Sequence, residues 1–191
     1  MRFLFHFLLT TTIAAVVGLG LTYFAVEHGR LFGVVHAGEW NAWPRAGSLQ
    51  ADPYTRARLA RTREIPIGAG EGLVFVADSD VGGEPLSGNC DYRIVGQTPP
   101  ARLWTLTVYD DEGRLMETPL GRYGFTSPEV LRRRDGDFEI MLAKRARPGN
   151  WVQAGSADHY MLVLRIYDTP LTATSDIENL PLPRVLRAAC R

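Results

Sequence analysis

A chain of 191 residues, 46% hydrophobic and 22% charged, has the composition of a globular protein and room for one ordinary domain plus an anchor or tail. Its 21 basic residues balance 21 acidic ones, which speaks against a nucleic-acid partner, because phosphate binding needs a basic face that displaces counterions. Two cysteines are too few for a zinc site built from thiolates and enough for one disulfide.

The run from Phe3 to Val26, FLFHFLLTTTIAAVVGLGLTYFAV, carries no formal charge. At ~1.5 Å per residue it spans a hydrocarbon core of ~30 Å. Its Leu, Ile, Val and Phe residues each favour insertion by ~0.3–0.6 kcal/mol, which outweighs His6 and three threonines whose hydroxyls bond back to helix carbonyls. A cleaved signal peptide, with Arg2 as its basic end, is the competing reading. Such peptides have an apolar core of only ~7–15 residues, and the one tolerable cleavage pattern, Val35-His36-Ala37, lies well past the run. Residues 1–27 are therefore expected to be an uncleaved transmembrane anchor that meets the lipid bilayer through residues 3–26. His6, near its start, is expected to reach the headgroups instead of serving as a proton relay.

Basic residues on the two sides of the helix nearly tie, so the cysteines decide the orientation. Cys90 and Cys190 both follow the helix, and a bond between them closes about 100 residues, worth on the order of 4–5 kcal/mol in the chain-entropy account. It persists only in an oxidising compartment. The expectation is an inner-membrane, single-pass protein with a cytoplasmic N-terminus and a periplasmic body. Two unrelated buried thiols are the alternative.

Residues 28–50 mix Gly, His, Trp and Pro without a sustained period and read as a juxtamembrane linker that packs on the domain. Trp40 and Trp43 suit either the membrane interface or a domain edge. Asp52-Pro53 opens a short helix, DPYTRARLART, with Asp as N-cap and Pro at the first helical position. Its arginines, Arg56, Arg58, Arg61 and Arg63, are read as a solvated basic face in preference to a headgroup contact.

From Pro66 onward the pattern is that of strands. Leu73–Ala77 is continuously apolar, Asp91–Gly96 alternates, and RLWTLTVY (Arg102–Tyr109) places Trp104, Leu106 and Val108 on one face and Leu103, Thr105, Thr107 and Tyr109 on the other. Asp110–Gly113 is a turn signal from which RLMETP returns as a hairpin partner. Ser127-Pro128-Glu129 has the chemistry of a helix start, so VLRRR is expected to make one or two helical turns. Strands follow at Phe138–Leu142 and His159–Asp168, and the tail LPLPRVLRAAC is expected to pack as a short capping helix. Turn signals recurring about every ten residues point to an antiparallel sandwich or open barrel, and the body over residues 51–191 is expected to be all-β, an antiparallel β-sandwich of jelly-roll-like build with a few short helices.

Several strings together resemble the bacterial domain of unknown function 1214 family. They are Asp52-Pro53-Tyr54 with Arg56-Ala57, Glu84-Pro85-Leu86-Ser87-Gly88, the block from Pro99 to Tyr109, Arg122-Tyr123, Asp135-Gly136, Asn150-Trp151, and Leu164-Arg165-Ile166-Tyr167. The resemblance covers roughly residues 50–170 and is to the short members anchored by a single helix. After Trp151 the chain departs from it, with Val-Gln-Ala-Gly where Leu-Pro-Ala-Pro is usual, and Thr118 stands where an Asn is expected. The resemblance implies fold and location and carries no chemistry.

Candidate chemistry is sparse. Asp78–Glu84, DSDVGGE, has the alternating carboxylates of a calcium loop, but Asn89 stands where an EF-hand needs Glu, so a hairpin turn is preferred. Arg165 lies inside MLVLRIY, where a charge needs a partner or water; a carboxylate such as Asp110 or Asp168 is the expected partner, and an anionic ligand the other possibility. Trp151 beside Asn150 offers a platform for a sugar ring or, more commonly, closes a core. His159 has no neighbouring Cys or His to share a metal. No nucleophile elbow, zinc-protease, P-loop or dinucleotide motif is present, so no catalytic residue, metal or cofactor is assigned. Arg165, Trp151, Asn150 and Tyr109 remain as binding candidates. The expected function is a non-catalytic module that binds a partner protein or an envelope glycan close to the membrane. The alternative is an envelope hydrolase that uses carboxylates on loops.

Overall fold

The computed structural model describes residues 2–27, 33–62, 65–68, 70–116, 118–171 and 176–190. They divide into two compact units, residues 1–33 with 45–66, and residues 34–44 with 67–191.

The first unit holds both helices. α1 (Arg2–Glu27) is long and apolar enough to cross a membrane and buries none of its residues within the protein. As the sequence predicts, threonine hydroxyls turn back onto its carbonyls, Thr10 to His6 at 2.9 Å and Thr11 to Phe7 at 2.8 Å. α2 (Pro53–Thr62) starts where expected. One carboxylate oxygen of Asp52 accepts the backbone N–H of Tyr54 and of Thr55, each at 2.9 Å, and the other accepts the Thr55 hydroxyl. Burial pushes this carboxyl up, but the bonds from Thr55 and Tyr54 outweigh it and hold it below the usual range. Arg61 pairs with Glu27 at 2.7 Å and lies over the Tyr23 ring, 5.6 Å from its centre, which ties α2 to the last turns of α1.

The second unit is a two-sheet sandwich. The strands are β1 (Val35–Ala37), β2 (Trp40–Ala42), β3 (Gly72–Ala77), β4 (Cys90–Gly96), β5 (Leu103–Asp110), β6 (Gly124–Thr126), β7 (Phe138–Ala143), β8 (Asn150–Gln153), β9 (Tyr160–Tyr167) and β10 (Arg184–Cys190). One sheet runs β1-β2-β3-β9-β5-β6 and the other β10-β4-β7-β8. All pairs are antiparallel except β7 with β8, a departure from the expected fully antiparallel build. One core lies between the sheets. Phe75, Trp104, Leu106 and Leu164 enter it from the first, and Tyr92, Ile140, Val152 and Val185 from the second. Burying each large apolar side chain contributes roughly 1.5–3 kcal/mol, and the period-two alternation of β5 is what turns Trp104, Leu106 and Val108 inward together. Gly72 and Gly124 lie so close to the carbonyls of Ile166 and Leu106 that a Cβ at either place would collide with the facing strand.

Residues 35–42 of the expected linker supply β1 and β2. Trp40 is buried in the core, its indole N–H donating to the Pro183 carbonyl at 2.7 Å.

Three local expectations are corrected. The tail is strand β10, not a helix: it fills the edge of β4 with Val185 facing the core, and Glu39 accepts the Val185 N–H. Tertiary pairing here overrides the helical preference of Leu and Ala. No helix follows Ser127, although Glu129 does accept the Thr126 N–H and hydroxyl. The next backbone groups go elsewhere, because the Asn150 side chain takes both the N–H and the C=O of Leu131. Finally, of the hairpin return after Gly113, only Leu115 bridges Tyr109 among the described residues, and β6 pairs with β5 in its place. The Asp110 carboxylate binds the Arg114 N–H at 2.8 Å and its guanidinium at 3.0 Å, curling the chain off the sheet.

Cys90 and Cys190 are bonded across directly opposed positions of β4 and β10, closing a sequence separation of 100.

Candidate binding site

The four candidate residues fall on two different sheets. Arg165 and Tyr109 lie on the outward face of the six-stranded sheet, whose registers set Arg165 between Val74 and Thr105. The Arg165 guanidinium donates to the Tyr109 hydroxyl at 3.3 Å and sits 5.6 Å from the ring centre. The carboxylates expected to pair with it are engaged by other arginines, Asp110 by Arg114 at 3.0 Å and Asp168 by Arg102 at 2.7 Å. Among the described residues Arg165 makes no salt bridge.

Asn150 and Trp151 belong to β8, at the edge of the other sheet. Asn150 is buried and both of its amide N–H donors are used. It accepts the Leu131 N–H at 2.7 Å and donates to the carbonyls of Leu131 at 2.8 Å and Glu139 at 2.9 Å. This clamp fastens the 127–137 loop against β7, so Asn150 positions its neighbours and has no donor left for a ligand. Trp151 is half-buried, and its indole N–H is tied to the Ala143 carbonyl at 3.0 Å.

What the clamp builds is an open cleft of about 330 Å³, bounded by Leu131, Arg132, Arg133, Glu139, Met141 and the Pro148–Asn150 turn. Gly149 adopts a φ of 81° in that turn, a left-handed conformation natural to glycine. Glu139 and Met141 project from β7 because they alternate with the core residues Phe138, Ile140 and Leu142. Each oxygen of Glu139 binds one guanidinium, Arg93 of β4 at 2.7 Å and Arg133 of the loop at 2.7 Å. The Arg93 hydrogen bond is the main reason the Glu139 carboxyl is held below its usual range; burial opposes it, and the charges of Arg93 and Arg133 add to it. Arg93 is in turn held more firmly protonated by Glu139. Arg132 stacks 5.7 Å from the Trp104 ring centre and 5.5 Å from that of Phe138, and donates to the Gly136 carbonyl at 2.9 Å.

Two guanidiniums, those of Arg93 and Arg133, therefore bind one carboxylate, and Arg132 lines the same cleft beside apolar Leu131, Met141 and Pro148. The Leu131 side chain is 68% exposed at the rim. Such a surface is suited to a group that is negative and partly apolar.

Other sequence candidates resolve into structure. In the DSDVGGE turn, Asp80 is buried, accepts the N–H groups of Gly82 and Glu84, and pairs with Arg187 at 2.8 Å. No group of three or more potential metal-ligating side chains converges among the described residues. His159 is exposed and bridges Ser87 through its backbone.

Comparison with known proteins bears on this architecture. Residues 71–171, more than half of the chain and most of the sandwich, match a family described as a protein of unknown function, DUF1214. The chain belongs to the DUF1214 family. A solved structure of similar fold is that of the VPA0106 protein from Vibrio parahaemolyticus, with a TM-score of 0.59 and 19% identity over 73% of this chain and 36% of that one. An uncharacterised protein from Burkholderia cenocepacia aligns over 93% of this chain and 52% of its own, at 20% identity and a TM-score of 0.44. The chain thus spans about a third and about half of these two proteins. At this identity the likeness to VPA0106 is one of fold alone. No curated protein matches the chain.

Sequence reasoning missed Arg93, Arg133, Glu139, Leu131 and Met141. Arg93 and Glu139 each occupied a polar position in an alternating strand, which was legible. That β4 and β7 are neighbours, with Ile94 opposite Ile140, was not.

Proposed function

We propose that this DUF1214 protein is a non-catalytic binding module, held by α1 in the inner membrane with its sandwich on the periplasmic side. In this reading the cleft beside β7 and β8 takes an acidic, apolar-flanked segment of a partner protein. The observation that carries the reading is that Arg132 and Arg133 line the cleft beside exposed Leu131, while its one carboxylate, Glu139, is already held by Arg93 and Arg133. A partner protein is favoured over a glycan because Trp151 does not line the cleft and its indole N–H is committed to Ala143. The acids with resolved shifts, Asp52, Asp110, Glu129 and Glu139, are all moved down, toward permanent ions, whereas a general acid needs a raised value. The Cys90–Cys190 bond supports the exported side.

The test is site-specific photo-crosslinking in cells from position 131, with position 74 on the other sheet as control. The expected outcome is a discrete protein adduct from position 131 whose crosslinked peptide carries Asp or Glu, and which is weakened several-fold by Arg133→Glu. An adduct with a basic peptide, or equal yields from both positions, rejects the assignment. An alkaline-phosphatase fusion after Arg191 is expected to be active, and an inactive one reverses the orientation.

A further inference from the structure

The first unit carries a surface that the cleft does not use. Between Arg45 and Thr62 lie four arginines and a single acid, Asp52, whose carboxylate is occupied in capping α2. This is a strong local excess in a chain of net charge zero. Arg45 and Arg56 are exposed, and neither side chain has a partner among the described residues. Interleaved with them are apolar side chains left in the open: Leu49 is fully exposed, Ile65 is 93% exposed, and Tyr54 is 39% exposed. The opposite side of α2 is closed, with Thr55 buried. Cations interspersed with exposed aliphatic and aromatic groups are the pattern of a segment that lies on a bilayer surface.

The position of α2 fixes which surface. Arg61 is bound to Glu27 and lies over Tyr23, in the last turns of α1, where a helix of this length emerges from the hydrocarbon. Arg56 is five residues from Arg61, about 7.5 Å along the helix axis, which is within a Debye length of the same plane. Arg56 also lies beyond the ~15–20 residues after a span whose charges set topology, so it does not act against an exported domain.

We propose that α2 and its flanks dock on the bilayer surface that α1 enters, with Arg45 and Arg56 on the phosphates of anionic phospholipids and Leu49, Tyr54 and Ile65 at the acyl boundary. This rests on α1 spanning the membrane, and neither on the cleft nor on its partner.

Hydrogen exchange of the full chain in nanodiscs tests it, comparing phosphatidylcholine alone with discs containing about a third phosphatidylglycerol. The α2 amides are expected to exchange roughly ten-fold more slowly in the anionic discs. The double substitution Arg45→Gln and Arg56→Gln removes the difference, since each arginine near such a surface is worth about five-fold, and high salt does the same. Equal α2 exchange in both lipids, with α1 protected in both, overturns the docking while leaving the anchor intact. Unprotected α1 amides instead remove the anchor on which it rests. If inorganic phosphate added to phosphatidylcholine discs reproduces the protection, the site binds free phosphate and the bilayer assignment is wrong.

Discussion

Each sheet carries one arginine on the outward face of an interior strand, Arg165 on β9 and Arg93 on β4, and their surroundings diverge. Arg165 meets a phenol and a row of Val and Thr, so its charge is left without a counter-ion among the described residues. Arg93 meets Glu139, which also holds Arg133, and two adjacent strands and a loop are thereby drawn together. The difference teaches that one residue type in the same kind of strand does different work according to what the neighbouring strand places opposite. On the six-stranded sheet the arginine is an isolated cation on a hydrogen-bonded face. On the four-stranded sheet it holds Glu139, which lines the cleft. The smaller sheet is also the more heavily tied, by the Cys90–Cys190 bond at one edge and the Asn150 clamp at the other.

The edge tie gives the largest expected effect. Replacing both cysteines by Ser removes the covalent tie at the end of the β4–β10 ladder and restores freedom to a 100-residue loop of the unfolded chain. The expected loss is about 4–5 kcal/mol, read from denaturant midpoints of the oxidised and cysteine-free proteins. Exchange should rise first in β10 and β4, with β9 and β5 following only on global unfolding. If β9 opens together with β10, the two sheets do not differ as described.

Asn150→Ala comes next. It strands the Leu131 N–H and C=O and one bond to the Glu139 carbonyl, at a cost of roughly 2–3 kcal/mol because water can reach part of the site. The loop at 130–133 should gain exchange and the crosslink from position 131 should weaken. A substitution that leaves both unchanged means the clamp does not organise the cleft.

How much of this was legible in the chain depends on the range of the interaction. Strands β3, β4, β5, β7 and β9 were readable because their apolar residues alternate or run together over a few positions. The α2 start was readable because Asp52 acts on amides two and three residues away. The disulfide followed from there being only two cysteines, both past the helix. The failures are contacts made at a distance. β10 reads as helix until β4 is known to need an edge partner, and the turn after Ser127 reads as helix until Asn150, 19 residues on, captures Leu131. The cleft failed for the same reason, since Arg93 and Glu139 are 46 residues apart. Arg165, Trp151, Asn150 and Tyr109 stood out for residue type and local sequence context, and the structure sends them to two sheets.

The smallest expected effect separates the two arginines by pH. The folded-state value of Glu139 is depressed, so its pairing contributes stability that is fully present above the unfolded value, about 4.3, and lost as pH falls through the folded one. Arg93 and Arg133 are 43% and 54% exposed, so solvent screening limits the contribution to roughly 0.5–1 kcal/mol. Glu139→Gln should therefore cost about that much at neutral pH, and the difference from the native chain should vanish progressively below about pH 4.3. Asp110 and Glu129 are depressed as well, so the native protein loses stability over the same window, and only the difference between the two chains reports Glu139. Arg165→Gln removes no carboxylate pair among the described residues, and its effect on stability should stay constant across that window. Stability curves of both variants against pH at fixed salt decide the matter. Parallel lines for Glu139→Gln, or a slope for Arg165→Gln, would show that the ion pair is not what sets the smaller sheet apart.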